Sequence, residues 1–178
     1  MKPFKGIEAC VVAPTNELSI GDGKQWFTYP SVPEELLIPF EEDLERDKKS
    51  QEGLRLMKVP DNKKLEQHIR CKFGGSDNIA DLSLDGQSTP DLPHCTKRLT
   101  CPGFGKCCKK PEFNNGKLSY RQIQITSLIQ KGLSDNQIAL ELGVKPNTIR
   151  TQRVNIERIM GVGSKPQIAA IATLLGIW

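Results

Sequence analysis

Apolar residues recur at helical spacing through the last third of the chain. Ile125, Leu128 and Ile129 share one face, as do Ile138, Ala139 and Leu142, and then Ile149, Ile156 and Ile159. A nearly all-apolar stretch follows, from Lys165 to Leu175. The pattern predicts four helices, at about 120–131, 135–142, 146–160 and 165–175. Three of them open on Ser-x-x-Gln, in the pairs Ser119/Gln122, Ser134/Gln137 and Ser164/Gln167. In such a box the hydroxyl accepts an orphan first-turn N–H while the glutamine reaches back to the cap residue. Gly132, Gly143 and Gly161 follow the first three helices, where a left-handed residue closes the last turn. Pro146 suits the first turn of the third helix, since its missing N–H would be unpaired there anyway. Only Val144 and Lys145 separate Gly143 from Pro146, so the second and third helices meet through a tight glycine-containing turn.

The polar positions of the third helix then become informative. Its non-apolar faces carry Asn147, Arg150, Thr151, Arg153, Val154 and Arg158. Residues 117–178 hold eight Lys and Arg against three Asp and Glu, a local charge of +5; since the whole chain is +4, the remainder sums to −1. A local cationic excess on helical faces is what a phosphate backbone selects, because counterion release supplies much of the affinity. These features predict a helix-turn-helix module binding double-stranded DNA with the helix 146–160 in the major groove. Arg150 is the first candidate for base reading, because arginine pairs bidentately with guanine O6 and N7.

The segment also resembles the DNA-binding domain of LuxR/GerE-type transcriptional regulators. The resemblance is carried by Leu118–Ser119–x–Arg121, Gly132–Leu133–Ser134, Ile138–Ala139, Leu142–Gly143–Val144, Thr148–Ile149–Arg150–Thr151, Asn155–Ile156, Gly161–Val162 and Leu175–Gly176–Ile177. It implies a four-helix fold with Arg150, Thr151 and Val154 facing bases. Lys145, Asn147, Thr148 and Lys165 are implied phosphate contacts, and Arg153 and Arg158 complete the candidate set. It further implies a two-fold dimer contact through the helix 165–175. Apolar Ile168, Ala169, Ala172, Leu175, Ile177 and Trp178 point the same way, exceeding what one small core needs. Three positions depart from the family pattern. Gln122 replaces a glutamate yet keeps the capping box, Lys145 replaces a capping serine, and Gln152 replaces a frequent histidine.

The first two thirds alternate less regularly. Ile7–Val12 reads as a strand, Trp26–Phe27 as an aromatic pair after turn residues, and Pro33 to about Lys58 as helix with a solvated charge run. His68, beside a charged helical stretch, reads as a surface histidine. Residues 72–93, rich in Gly, Ser, Asp and Pro, read as irregular, with too few apolar side chains for an independent core.

Six cysteines stand at 10, 71, 95, 101, 107 and 108, five of them between 71 and 108. The opening residues Met1–Glu8 do not look like a leader, and no run is long enough to span a bilayer, so a cytoplasmic, DNA-bound protein without a membrane partner is expected. Clustered cysteines in that compartment point to metal before disulfides. Cys71, Cys95, Cys101 and Cys108 are the candidate ligands of one tetrahedral Zn2+, with Cys107, His68 and His94 as substitutes. An iron–sulfur cluster, which would make a redox sensor, is the alternative, followed by reduced or regulatory thiols. Cys10 reads as an ordinary half-buried residue.

The expected fold is mainly α. A small, irregular, cysteine-rich and metal-stabilised α+β region (1–113) leads through a hinge (114–117) to a four-helix LuxR-type domain (118–178). A transcriptional regulator follows, dimeric on DNA, with RNA polymerase or other regulators as further partners. The competing class is an interaction module, such as an anti-activator, that keeps the fold and binds protein. No glycine-rich phosphate loop, Ser/His/Asp set or carboxylate pair in a glycine-framed site suggests an enzyme. No strand–helix alternation suggests a receiver domain, so phosphorylation is not expected as the input.

Overall fold

The structure is a computed structural model that describes residues 5–12, 14–75, 79–83, 86–93, 95 and 97–177. It divides into two units. The first comprises Met1–Pro93 and Cys101–Lys109, the second His94–Thr100 and Lys110–Trp178.

The first unit begins with a three-stranded antiparallel sheet, β1 (Glu8–Val12), β2 (Glu17–Gly21) and β3 (Trp26–Thr28), in the order β1-β2-β3. Ala9 pairs with Ile20 and Val11 with Leu18, so alternate residues of both strands turn to one face. Three helices follow: α1 (Glu34–Arg46), α2 (Lys48–Leu56) and α3 (Lys64–Lys72). The continuous helix expected from Pro33 to Lys58 is therefore two. Asp47 interrupts it, because its carboxylate accepts the Ser50 N–H at 3.0 Å and restarts the chain as an N-cap. Ala9, Leu18, Ile20, Val32, Phe40, Ile69, Phe73 and Leu82 form a buried core. Residues 72–93, expected to hold too few apolar side chains for an independent core, supply only Phe73 and Leu82 to this one; the sheet and the helices bring in most of the rest. Phe40 and Phe73 meet edge to face, with centroids 5.3 Å apart.

His68 is a second correction. It lies fully buried (0% exposed) between Ser50, whose Oγ is 2.6 Å from Nδ1, and Asp43, whose Oδ2 is 2.9 Å from Nε2. Lys72 closes the network, with Nζ 2.7 Å from Asp43 and 2.8 Å from Asp47. Burial raises the Asp43 pKa, but the hydrogen bonds and charges of His68 and Lys72 outweigh it and hold the carboxyl at about 2.

The segment 101–109 packs on α2. Cys107, 3% exposed, donates its thiol to the Ser50 carbonyl at 3.2 Å, in a notch that only Gly53 leaves open: a Cβ there would sit 2.5 Å from the sulfur. Lys106 pairs with Glu52 at 2.5 Å beside it. Burial, partly offset by the bond to Ser50, pushes the Cys107 thiol up to about 11.

The second unit holds a two-stranded hairpin, β4 (Glu112–Phe113) and β5 (Gly116–Lys117), and helices α4 (Tyr120–Gln130), α5 (Asp135–Glu141), α6 (Pro146–Met160) and α7 (Lys165–Leu174). The stretch read as a hinge, 114–117, is thus the turn and second strand of this hairpin. α4 is the central helix, packed by the other three, with Ile123, Ile125, Thr126, Ser127 and Ile129 all buried. No helix among the described residues is long and apolar enough to cross a membrane.

Candidate nucleic-acid interface

The second and third helices of this unit, α5 and α6, are joined as the glycine spacing predicts. Gly143 adopts φ +63°, a conformation that other residues rarely take. Its N–H donates to Leu140 O at 3.2 Å while Val144 N–H donates to Ala139 O at 2.9 Å. This is the paired closure that ends a helix abruptly and turns the chain. Arg121, from α4, then donates to the Leu142 carbonyl at 3.0 Å, fixing the turn from a third helix. Of the three expected capping boxes, two form in full, at Ser119/Gln122 and Ser134/Gln137. The third does not. Ser164 donates its hydroxyl to Gln167 Oε1 at 3.0 Å instead of accepting a backbone N–H, and Pro166 removes one first-turn donor altogether.

α6 sets its sides apart clearly. Ile149 and Ile156 are fully buried, and Ile159 and Met160 nearly so. Asn147, Arg150, Thr151, Val154 and Arg158 are all exposed and fall within one stripe on the opposite side, Val154 at 52%. Lys145 and Thr148 are also exposed, at the start of the helix. Lys145 offers no side-chain cap, as the departure from serine implies. At the other end Asn115 Nδ2 donates to the Arg158 carbonyl at 3.0 Å, so the hairpin turn holds the last turn of α6. Among the described residues, no ion pair engages Lys145, Arg150 or Arg158.

Two candidate contacts stand elsewhere. Arg153 points away from the stripe toward α5, with Nε 3.3 Å from Asp135 Oδ2 and Nη1 2.6 Å from Glu157 Oε1. Glu157 foremost, with Asp135, raises its pKa against the opposing effect of burial. Lys165, at the start of α7, sits 2.8 Å from Asp135 Oδ1 and donates to the Leu133 carbonyl at 3.1 Å. Asp135 thus joins α5, α6 and α7. Sequence reasoning passed over it, although an acid one residue after the capping Ser134 was a signal for cationic partners.

On α7 the apolar surplus assigned to a dimer face is corrected in part. Ile168, Ala172 and Ile177 are fully buried within the unit (0% exposed each), while Ala169 and Leu175 are half-buried; Trp178 lies outside the described residues. α7 needs these residues to pack on α4. The apolar side that α7 leaves outside is carried instead by Ala170 and by Leu174, 85% exposed.

The cysteines are dispersed in character. Cys71 accepts from Gln67 Nε2 at 3.1 Å, Cys101 Sγ lies 3.3 Å from Met57 Sδ, and Cys107 is the buried plug described above. Cys71, Cys95, Cys101, Cys108 and Cys10 are half-buried and outside any disulfide, the burial of the last being as expected. His94 lies outside the described residues. Among the described residues, no three His, Cys, Asp or Glu side chains are gathered as a metal would require.

Comparison with known proteins falls on this second unit. Residues 116–172 match the family model of bacterial regulatory proteins, luxR family. The two-component response regulator PprB of Pseudomonas aeruginosa is 41% identical over 54 residues, covering 30% of this chain and 20% of that protein. The transcriptional regulatory protein FixJ of Azorhizobium caulinodans is 33% identical over 60 residues, covering 34% of this chain and 28% of that protein. The chain therefore spans between a fifth and under a third of these relatives' lengths. No solved structure matches the chain. Residues 116–172 form a helix-turn-helix domain of the LuxR type.

Proposed function

We propose that the protein is a DNA-binding transcriptional regulator that lays α6 in the major groove. The observation that carries the reading is the exposed stripe Asn147–Arg150–Thr151–Val154–Arg158 opposite the buried Ile149–Ile156 side of α6. A helix held by its apolar side on α4 and α5, and polar on the other, is shaped to enter a groove. Arg150 reads guanine, and Val154 and Thr151 offer methyl groups to thymine. Lys145, Asn147, Thr148 and Arg158 take phosphates near the two ends of the helix. Such a protein works on the chromosome, in the cytoplasm.

A two-fold dimer through Ala170 and Leu174 of α7 would place two copies of α6 on half-sites whose spacing the dimer sets. Leu140, on α5 and 85% exposed, is the observation that favours a protein partner such as RNA polymerase or another regulator. Zinc bound by the cysteines of residues 71–108 is a proposal carried by the sequence alone, with an iron–sulfur cluster as its alternative. Elemental analysis and a visible spectrum of anaerobically purified protein decide it: colourless stoichiometric zinc, iron with sulfide, or neither.

The test of the main reading is selection of bound duplexes from a random-sequence pool. An enriched, two-half-site sequence is expected, and Arg150→Ala should weaken binding to it by about 1–3 kcal/mol while changing random-duplex binding far less. Absence of any enrichment overturns the reading in favour of a protein-binding module.

A further inference from the structure

Eight basic side chains give residues 117–178 their +5 charge against three acids, yet the basic residues are not equally free. Arg153 and Lys165 are both held by Asp135, one from α6 and one from α7, and Glu157 engages Arg153 from the other side. Each of these four side chains is only 15–31% exposed, so the ion pairs are shielded compared with those on an open surface. Lys145, Arg150 and Arg158, by contrast, stand exposed along or beside the groove-facing stripe.

We propose that Asp135 limits the sequence-independent affinity for DNA: its carboxylate withholds Lys165 and Arg153 from the phosphate backbone, leaving that contact to the cations beside the groove-facing stripe of α6. The inference rests on the DNA-binding reading above. A phosphate that sought Lys165 or Arg153 would have to displace a carboxylate already in place, against repulsion from Asp135 and Glu157 together. Phosphate contacts strengthen binding to every sequence alike, and each adds about 0.9 to the salt slope on duplex DNA. Two cations kept internal therefore lower the sequence-independent part of binding to every duplex. Burial opposes the charge on Asp135, but the Lys165 hydrogen bond and the charges of Lys165 and Arg153 keep its pKa lowered, so the withholding carboxylate is ionised throughout the neutral range.

The test uses the full chain and the Asp135→Asn variant, whose size and helix-start position are preserved. Binding to a random-sequence duplex is measured between 50 and 200 mM salt, beside binding to the sequence selected by wild type. Asp135→Asn should steepen the salt slope by about one unit or more and tighten random binding about five- to tenfold near 0.1 M salt. Cognate binding should tighten by a similar factor, as a sequence-independent contact requires. Adding Lys165→Ala should take back about one unit of slope. Glu141→Gln, which removes an exposed acid of the same unit without freeing a held cation, is the charge control and should reproduce little of the gain.

An unchanged or shallower slope for Asp135→Asn with an unaltered melting profile overturns the proposal and leaves Asp135 a structural clamp. An equal gain from Glu141→Gln overturns it as well, as a net-charge effect. Should Asp135→Asn fail to fold, Glu157→Gln, which loosens Arg153 alone, is read by the same criteria. Should wild type bind no duplex, the DNA-binding reading falls by itself, and retention on immobilised heparin judges Asp135 separately. Later elution of Asp135→Asn than of Glu141→Gln supports the withholding role, and equal elution removes it.

Discussion

In the C-terminal unit, helix ends are closed by bonds between residues three to five apart, such as Ser134 with Gln137 and Val144 with Ala139. The N-terminal unit is held together over much longer separations in sequence. Ser50 reaches His68, Asp43 reaches Lys72, Cys107 reaches Ser50, and the Ala9 N–H donates to Asp81 at 2.7 Å across 72 residues. Both units bury aliphatic cores. They differ in where the instructions for the fold are written: beside each helix end in one, in partners scattered through a hundred residues in the other. A unit of the second kind concentrates its vulnerability in a few buried polar groups, because removing one strands the rest.

The difference can be broken at Asp43. Asp43→Ala leaves Lys72 with only Asp47 and His68 with only Ser50 in a buried site, at an expected cost of about 3–5 kcal/mol. Peptide-resolved hydrogen exchange should show protection lost in β1, β2 and α3 and retained in α4–α7; uniform loss in both units would contradict the distinction.

Gly53→Ala is next. A Cβ at 2.5 Å from Cys107 Sγ and 3.2 Å from Cys107 N cannot be accommodated without moving the segment 101–109, for about 1–3 kcal/mol. Cys107→Ala in the same chain should return part of that in thermal melts, since the sulfur is the nearest obstacle while Lys106 Cβ at 2.9 Å remains.

Acid sharpens the comparison further. The Asp43 pKa is lowered to about 2 in the folded state, so its stabilisation is complete above the unfolded carboxyl value near 3.9 and is lost as pH falls toward 2. After solvent screening this is on the order of 1–2 kcal/mol. Urea midpoints followed through β1–α3 should drop between about pH 4 and 2, more steeply than in an Asp43→Asn variant.

The smallest effect compares two serines. Ser134→Ala removes a formed capping box and should cost about 1 kcal/mol, whereas Ser164→Ala, whose hydroxyl caps no backbone N–H, should cost less than half of that. Equal costs would mean that the third box forms in solution after all.

The same contrast explains what could be read from the chain. α4 to α7 were legible to within a residue or so, because Ser119, Ser134, Pro146 and the glycines at 132, 143 and 161 are signals that act on their immediate neighbours. The groove-facing stripe was legible for a related reason: a single helix has one period, and Ile149 and Ile156 fix which side is left over. The pairing of Arg153 was passed over although Glu157, four residues on, sets that arginine apart from Arg150, which has Val154 there; its other partner, Asp135, lies eighteen residues earlier. His68 and Asp43 were illegible. Both sit in charge-rich runs that read as solvated surface, and their burial depends on a Lys72 and a Ser50 that no local rule links to them. α1 and α2 merged into one expected helix because Asp47 was counted as one more charge in the run and not as a cap.

The interleaving of the two units carries a consequence for how the protein comes into being. The chain leaves the first unit at Pro93, contributes 94–100 to the second, returns as Cys101–Lys109 and departs again at Lys110. During synthesis the α2 notch therefore waits unfilled until Cys107 has emerged. Leu99, whose carbonyl accepts the Tyr120 hydroxyl, waits in turn for a helix that is made later. Neither unit can be finished before part of the other exists, so the two must mature in an overlapping order instead of one after the other. A fragment cut at residue 118 keeps the four helices but forfeits Leu99 and the Asn115 support of α6, and should be read as a different molecule from the domain in its own chain.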